Sequence, residues 1–187
     1  MSNCKAIVIG GSAGSFQPIT KILSSLREKF DLPIFLCLHR LKHVRSGYVE
    51  ALSIKTKCPI IEPFDKEKIM AGNIYLAPSN YHMLIGIDNT VSLSTEKSVN
   101  HSRPAIDLLF ETAAYTYKDK LIGIILSGAN KDGATGLKII QEHGGTVIVQ
   151  DPNDAQIETM PREALIETNT ENIFSLDQII DYIKQKI

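Results

Sequence analysis

Three residues of this chain have the types and settings needed for acyl-transfer chemistry: Ser12, His39 and Asp132. A hydroxyl is a weak nucleophile at neutral pH. A neutral imidazole within hydrogen-bond reach can take its proton. A carboxylate can fix the tautomer of that imidazole and stabilise its charged form. Each of the three residues lies just beyond an apolar run. Ser12 follows Ala6 to Ile9, inside Gly10-Gly11-Ser12-Ala13-Gly14-Ser15, and His39 follows Pro33 to Leu38. Asp132 follows Leu121 to Leu126, inside Ser127-Gly128-Ala129-Asn130-Lys131-Asp132-Gly133. Plainer duties compete at every position. Ser12 also fits as a small turn residue, His39 as a surface histidine at a strand end, and Asp132 as the N-cap of a helix starting at Gly133.

The glycine turn admits a second chemistry, a phosphate cradle for a nucleotide. A dinucleotide site wants an acidic residue at the end of the second strand, to hold the ribose. Here that place is taken by His39 and Arg40. The glycine spacing is also incomplete, and no Gly-Lys-Ser/Thr is present. The nucleotide-binding or non-catalytic Rossmann-like module therefore stays as the alternative. His39 and His43 are four apart, but His39 ends a strand and no third ligand is evident, so neither a metal nor an organic cofactor is expected.

The elements that must position these residues are legible from periodicity. Ala6 to Ile9, Pro33 to Leu38, Leu121 to Leu126 and Thr146 to Gln150 read as strands buried on both faces of a parallel sheet. Pro59 to Glu62 and Gly72 to Ala77 add two more. Ile19, Ile22, Leu23, Leu26 and Phe30 share one helical face; Gly47 to Lys57, Ser102 to Tyr117, a stretch through Gln141, and Met160 to Glu167 are further helices. Pro104 suits a first helical turn. Ser175 with Gln178 predicts a capping box for a closing helix with Leu176, Ile179, Ile180 and Ile183 on its apolar side. His82 to Ile87 and Val91 to Ser94 flank Asp88-Asn89-Thr90 as a hairpin. The expected fold is α/β: a doubly wound, mostly parallel, Rossmann-like sheet with an antiparallel hairpin. Parallel strands send their carboxyl ends to one rim, where ligands bind.

The 187 residues suit one domain, 1–187, with a full core. A net charge of −1 argues against a broad nucleic-acid surface. No apolar run approaches the length of a membrane span, and the amino terminus has no signal-peptide core. Three cysteines without metal spacing point to reduced thiols in the cytoplasm, with Cys37 packed in the core. The basic stretch Arg40 to Arg45 fits a solvated loop or a surface for an acidic partner.

Several segments together resemble the catalytic domain of CheB-type chemotaxis methylesterases. They are Ile9-Gly10-Gly11-Ser12-Ala13-Gly14, Leu38-His39, Gly72 to Pro78 with His82, Ser102 to Phe110, Leu126 to Gly136, and Met160-Pro161-Arg162-Glu163-Ala164, in the family's order. The resemblance implies Ser12 as nucleophile, His39 as general base and Asp132 as its orienting carboxylate. It implies an oxyanion held by backbone N–H groups at Ala13 and Ala129. The implied reaction is hydrolysis of glutamate methyl esters on the cytoplasmic helices of methyl-accepting chemotaxis receptors, with glutamine deamidation chemically adjacent. The family's aspartate loop usually reads Thr-Gly-Met-Gly-x-Asp-Gly, so Ser127, Ala129 and Asn130 depart from it. The receiver domain common in the family has no counterpart here. A stand-alone form, a domain cut from a longer chain and a different mode of regulation all fit that.

Overall fold

A computed structural model describes residues 4–39 and 47–187. The basic stretch Arg40 to Arg45, with His43, lies outside the described residues. The elements run β1 (Ala6–Gly11), α1 (Phe16–Ser25), β2 (Ile34–Leu38), α2 (Tyr48–Ser53), β3 (Ile60–Ile61), β4 (Ile74–Leu76), β5 (His82–Ile85) and β6 (Val91–Ser94). There follow α3 (Ile106–Tyr117), β7 (Leu121–Ile125), α4 (Ala134–Glu142), β8 (Thr146–Gln150), α5 (Thr159–Thr168), β9 (Ile173–Phe174) and α6 (Leu176–Lys186).

Seven strands form one sheet in the order β3-β4-β2-β1-β7-β8-β9, and every pairing in it is parallel. β1, β2 and β7 are buried along their whole length, which is why they are apolar at every position and do not alternate. Val8, Phe35 and Tyr75 pack under Ile106, Phe110, Leu137 and Met160, from α3, α4 and α5. Ile7, Ile9 and Leu36 pack on the other face under Ile19, Ile22, Leu52 and Ile183, from α1, α2 and α6. The helices that leave β1 and β7 therefore go to opposite faces of neighbouring strands. The crevice between those two carboxyl ends is the place where such folds bind ligands.

β5 and β6 pair antiparallel as a separate two-stranded sheet whose Met83, Ile85 and Val91 join the α3 side of the core. Three helices differ from expectation. α1 stops at Ser25, because Leu26 is extended (φ −69°, ψ 144°), and Phe30 is buried from the following loop. α2 is shorter than Gly47 to Lys57 at both ends. α3 begins at Ile106, not at Ser102: Val99 and Ser102 exchange backbone hydrogen bonds of 3.1 and 2.8 Å, and Ala105 is extended. Pro104 precedes the helix. The capping box at Ser175 and Gln178 is present. Cys37 lies in the core of β2. No helix among the described residues is long and apolar enough to cross a membrane.

Candidate active site

The rim of the sheet brings the ends of β1, β2 and β7 together. Gly11 pairs with Leu38, and the His39 N–H donates to the Gly11 carbonyl at 3.1 Å, so Ser12 and His39 end adjacent strands. On the other side the Ser12 N–H donates to the Ser127 carbonyl at 2.9 Å. The turn after Ser12 uses Gly14 at φ +82°, a region that costs glycine nothing. Ser15 closes the turn, its hydroxyl donating to the Ser12 carbonyl at 2.6 Å. Ser12 Oγ has no hydrogen-bond partner among the described residues.

His39 Nε2 lies 2.8 Å from Asp132 Oδ2; the imidazole is 13% exposed and the carboxylate is fully buried. With Nε2–H given to the carboxylate, Nδ1 is the ring's acceptor for a hydroxyl proton. Ser102 Oγ stands 3.4 Å from Nδ1, beyond the usual range for such a bond. Ser102, from the segment before α3, thus stands on the acceptor side of the imidazole, while Ser12 ends the strand next to that of His39. The contact of Ser102 with the histidine was not anticipated; its place within the Ser102 to Phe110 segment was the only hint.

Asp132 does not cap α4. Gly133 occupies that N-cap position, at φ +96°, and has no side chain to cap the helix itself. Asp132 instead accepts from the start of α3: Oδ2 takes the Ile106 N–H at 2.7 Å, and Oδ1 takes the Asp107 N–H at 3.2 Å and Asn100 Nδ2 at 3.2 Å. Burial pushes this carboxyl up. The hydrogen bond from His39, the Ile106 and Asp107 N–H groups and the His39 charge outweigh burial, so the net direction is downward. Asp107, close by, moves the other way, up to about 6, through burial and the negative charge of Asp132, against the bonds it receives.

The loops that carry Ala13 and Ala129 are cross-tied. Ser127 Oγ donates to the Ala13 carbonyl at 2.9 Å and accepts the Ile157 N–H at 2.9 Å, and the Ser127 N–H donates to Gln150 Oε1 at 3.0 Å. The N–H groups of Ala13 and Ala129 have no acceptor among the described residues and lie in exposed residues beside the rim. Asn130, where the family pattern has glycine, keeps φ negative; its Oδ1 accepts the Asp132 N–H at 3.1 Å. The substitution therefore ties the loop down.

His82 and Arg103 support the frame. Buried His82 accepts the Ala105 N–H at Nδ1 (3.2 Å), and its Nε2 faces the Lys97 carbonyl at 3.1 Å. Arg103 donates to the carbonyls of Thr95 and Glu96 and to Asn80 Oδ1. These bonds hold the chain that delivers Asn100 and Ser102. Among the described residues no three His, Cys, Asp or Glu side chains are grouped to hold a metal ion.

A doubly wound parallel sheet with a buried carboxylate–imidazole couple at its rim is the frame of an α/β hydrolytic enzyme. The CheB methylesterase family model matches residues 7–183, and the chain belongs to that family. A Leptospira interrogans homologue is 46% identical over 179 residues, covering 96% of this chain and 93% of the relative; its name assigns it, provisionally, as a protein-glutamate methylesterase/protein-glutamine glutaminase. The Geobacter metallireducens protein-glutamate methylesterase/protein-glutamine glutaminase 4 is 33% identical over 162 residues, 86% of this chain and 47% of that protein. The crystal structure of the Thermotoga maritima CheB methylesterase catalytic domain superposes with a TM-score of 0.92 at 27% identity, covering 98% of this chain and 99% of that one.

Proposed function

We propose that the chain hydrolyses protein γ-glutamyl methyl esters to glutamate and methanol, and glutamine side chains to glutamate and ammonia, on the cytoplasmic helices of methyl-accepting chemotaxis receptors. Residues 1–187 act as one catalytic domain. The observation that supports the site assignment is the His39–Asp132 couple, buried on its carboxylate side, at the end of the strand next to the one that leads to Ser12.

In this mechanism Nδ1 of His39 takes the Ser12 proton as Oγ attacks the ester carbonyl carbon. The oxyanion is held by the N–H groups of Ala13 and Ala129, which have no acceptor among the described residues to give up. The C–O bond to methanol breaks, and the methoxy oxygen leaves with the proton from His39. Water then adds to the acyl-enzyme, giving its proton to His39, and Ser12 is released with its proton restored. Asp132 stabilises the imidazolium in both halves without itself taking the proton.

The test is methanol release from a methylated receptor fragment. Ser12→Ala should leave the fold intact and cut the rate by about 10⁴-fold or more, by analogy with other triad enzymes. Activity within a few-fold of wild type would remove Ser12 from the mechanism.

A further inference from the structure

α3 and α4 meet at their amino-terminal ends and exchange carboxylates. Asp132, at the entrance to α4, accepts the first N–H groups of α3. Asp107, in the first turn of α3, accepts the N–H groups of Gly133 and Gly136 at the start of α4, at 2.9 and 2.7 Å on Oδ1. Neither helix carries a side-chain bond from its own N-cap, Ala105 or Gly133. Each helix thus satisfies its orphan donors with the other's carboxylate, and each N-terminus favours the negative charge placed on it. One group joins the two acids. Nδ2 of Asn100 donates to Asp107 Oδ2 at 2.7 Å and to Asp132 Oδ1 at 3.2 Å. Asn100 sits at φ +48°, a conformation asparagine tolerates better than most residues.

We propose that Asp107, acting through Asn100 and this exchange between helices, is a positioning residue for the His39–Asp132 couple. It fixes the Asp132 carboxylate against the imidazole, and its own charge sets how readily the couple takes up a proton. The consequence for turnover rests on the catalytic reading above; the consequence at His39 rests on the geometry alone.

The titratable acids and bases on the elements around Asp107 are Asp132 and Lys131 on the loop, Glu111 one turn further along α3, Lys138 and Glu142 on α4, His82 on β5, and His39 beyond Asp132. Of these, only Asp132 shares a hydrogen-bonding partner with Asp107. No lysine or arginine among the described residues bonds to either carboxylate. Burial, and after it the negative charge of Asp132, push the Asp107 carboxyl up to about 6. Its charge is therefore gained or lost just below neutral pH.

Two variants pull in opposite directions. Asp107→Asn keeps an oxygen for Gly133 and Gly136 but removes the charge and presents an NH₂ to the Asn100 amide. Asn100→Gly accepts the left-handed backbone and strips the shared donor from both carboxylates. The experiment is an NMR titration of the His39 ring, its signal assigned by its loss in His39→Gln, alongside the pH profile of kcat/KM. The His39 midpoint should fall in Asp107→Asn and rise in Asn100→Gly, each by about half a pH unit or more. The acid limb of kcat/KM should follow. A purely structural role lowers the folded fraction or kcat and leaves both midpoints within about 0.2 of wild type, which is no more than small scatter on the scale of one charge–charge contact. That result, or two midpoints moving together, overturns the proposal. If Asp107→Asn does not fold, the direction in Asn100→Gly decides. Midpoints that move while the acid limb stays still would uphold the coupling and reject His39 as the base.

Discussion

Replacing Asp132 by asparagine should damage stability as well as rate, and the hydrogen-bond arrangement says by how much. The carboxylate accepts four donors: His39 Nε2 and the Ile106 N–H on one oxygen, the Asp107 N–H and Asn100 Nδ2 on the other. An asparagine has one acceptor oxygen and one NH₂. Whichever way it turns, two donors face a donor. A buried donor left unsatisfied costs about 1–3 kcal/mol, and a bond to a charged group is worth about 1.5–3 kcal/mol. Rotation of Asn100 relieves part of the loss, so about 3 kcal/mol is a fair sum. For a chain of this length 1 kcal/mol moves the unfolding midpoint by about 2.5 °C, which gives a drop of about 8 °C. The rate should fall by about 10²-fold to 10⁴-fold, since the amide favours the wrong tautomer and cannot stabilise the imidazolium. If Asp132 only capped a helix, asparagine would serve about as well and both numbers would be near zero. Methanol release and thermal melting on one preparation of Asp132→Asn make the measurement. A midpoint within about 2 °C of wild type, under 1 kcal/mol on the same conversion, refutes the four-donor argument. A rate within a few-fold of wild type refutes the orienting role.

Ser102→Ala tests whether Ser12, at the neighbouring strand end, or Ser102, whose Oγ faces Nδ1, carries the reaction. Its contact is long, so the loss should stay below about 10-fold, against about 10⁴-fold for Ser12→Ala; the reverse ranking in the methanol-release assay would move the nucleophile to residue 102. Asp107 also makes a stability prediction. Its folded value, about 6, lies above the unfolded one, so its contribution is complete below about pH 4 and is lost as pH rises through 6. Urea titrations should show wild type losing about 2 kcal/mol relative to Asp107→Asn between pH 4 and 7. Asp132 acts with the opposite sign and below this window, its contribution being lost only as pH falls through a depressed value. A constant difference across the window would put the Asp107 carboxyl back in the ordinary range.

The sheet was legible because burial on both faces leaves a plain signature. β1, β2, β7 and β8 are continuous apolar runs, and no alternation had to be found. The hairpin showed as two short runs around a turn-forming triplet. What failed was local rule against tertiary pairing. Pro104 is well suited to a first helical turn, yet the exchange of backbone bonds between Val99 and Ser102 closes a tight turn just before it and Ala105 is extended, so α3 starts two residues after the proline. The two-residue strand β9 carries too few residues for a periodicity and had no expectation attached to it.

The site divides along the same line. Ser12, His39 and Asp132 could be singled out because each follows a strand, and a parallel sheet converts sequence position into a shared rim. Asn100 could not, and Asp107 was marked only by its place in the Ser102 to Phe110 segment, with nothing there to point to a role. Their roles exist only where α3 and α4 meet, 25 and more residues apart in the chain. Asp132 shows why the distinction matters. An aspartate one residue before a helical glycine looks like a cap, and a cap it is, but for the neighbouring helix. That placement lets one carboxylate do two things at once. The bond from His39, and after it the backbone N–H groups of α3, keep it ionised in a buried position, which a lone carboxylate would resist by taking a proton. The backbone bonds also fix the direction in which its remaining lone pair meets His39. Stability and orientation of the couple are therefore set by a single arrangement, and a substitution that spares one while removing the other has to act at Asn100 or Asp107, not at Asp132.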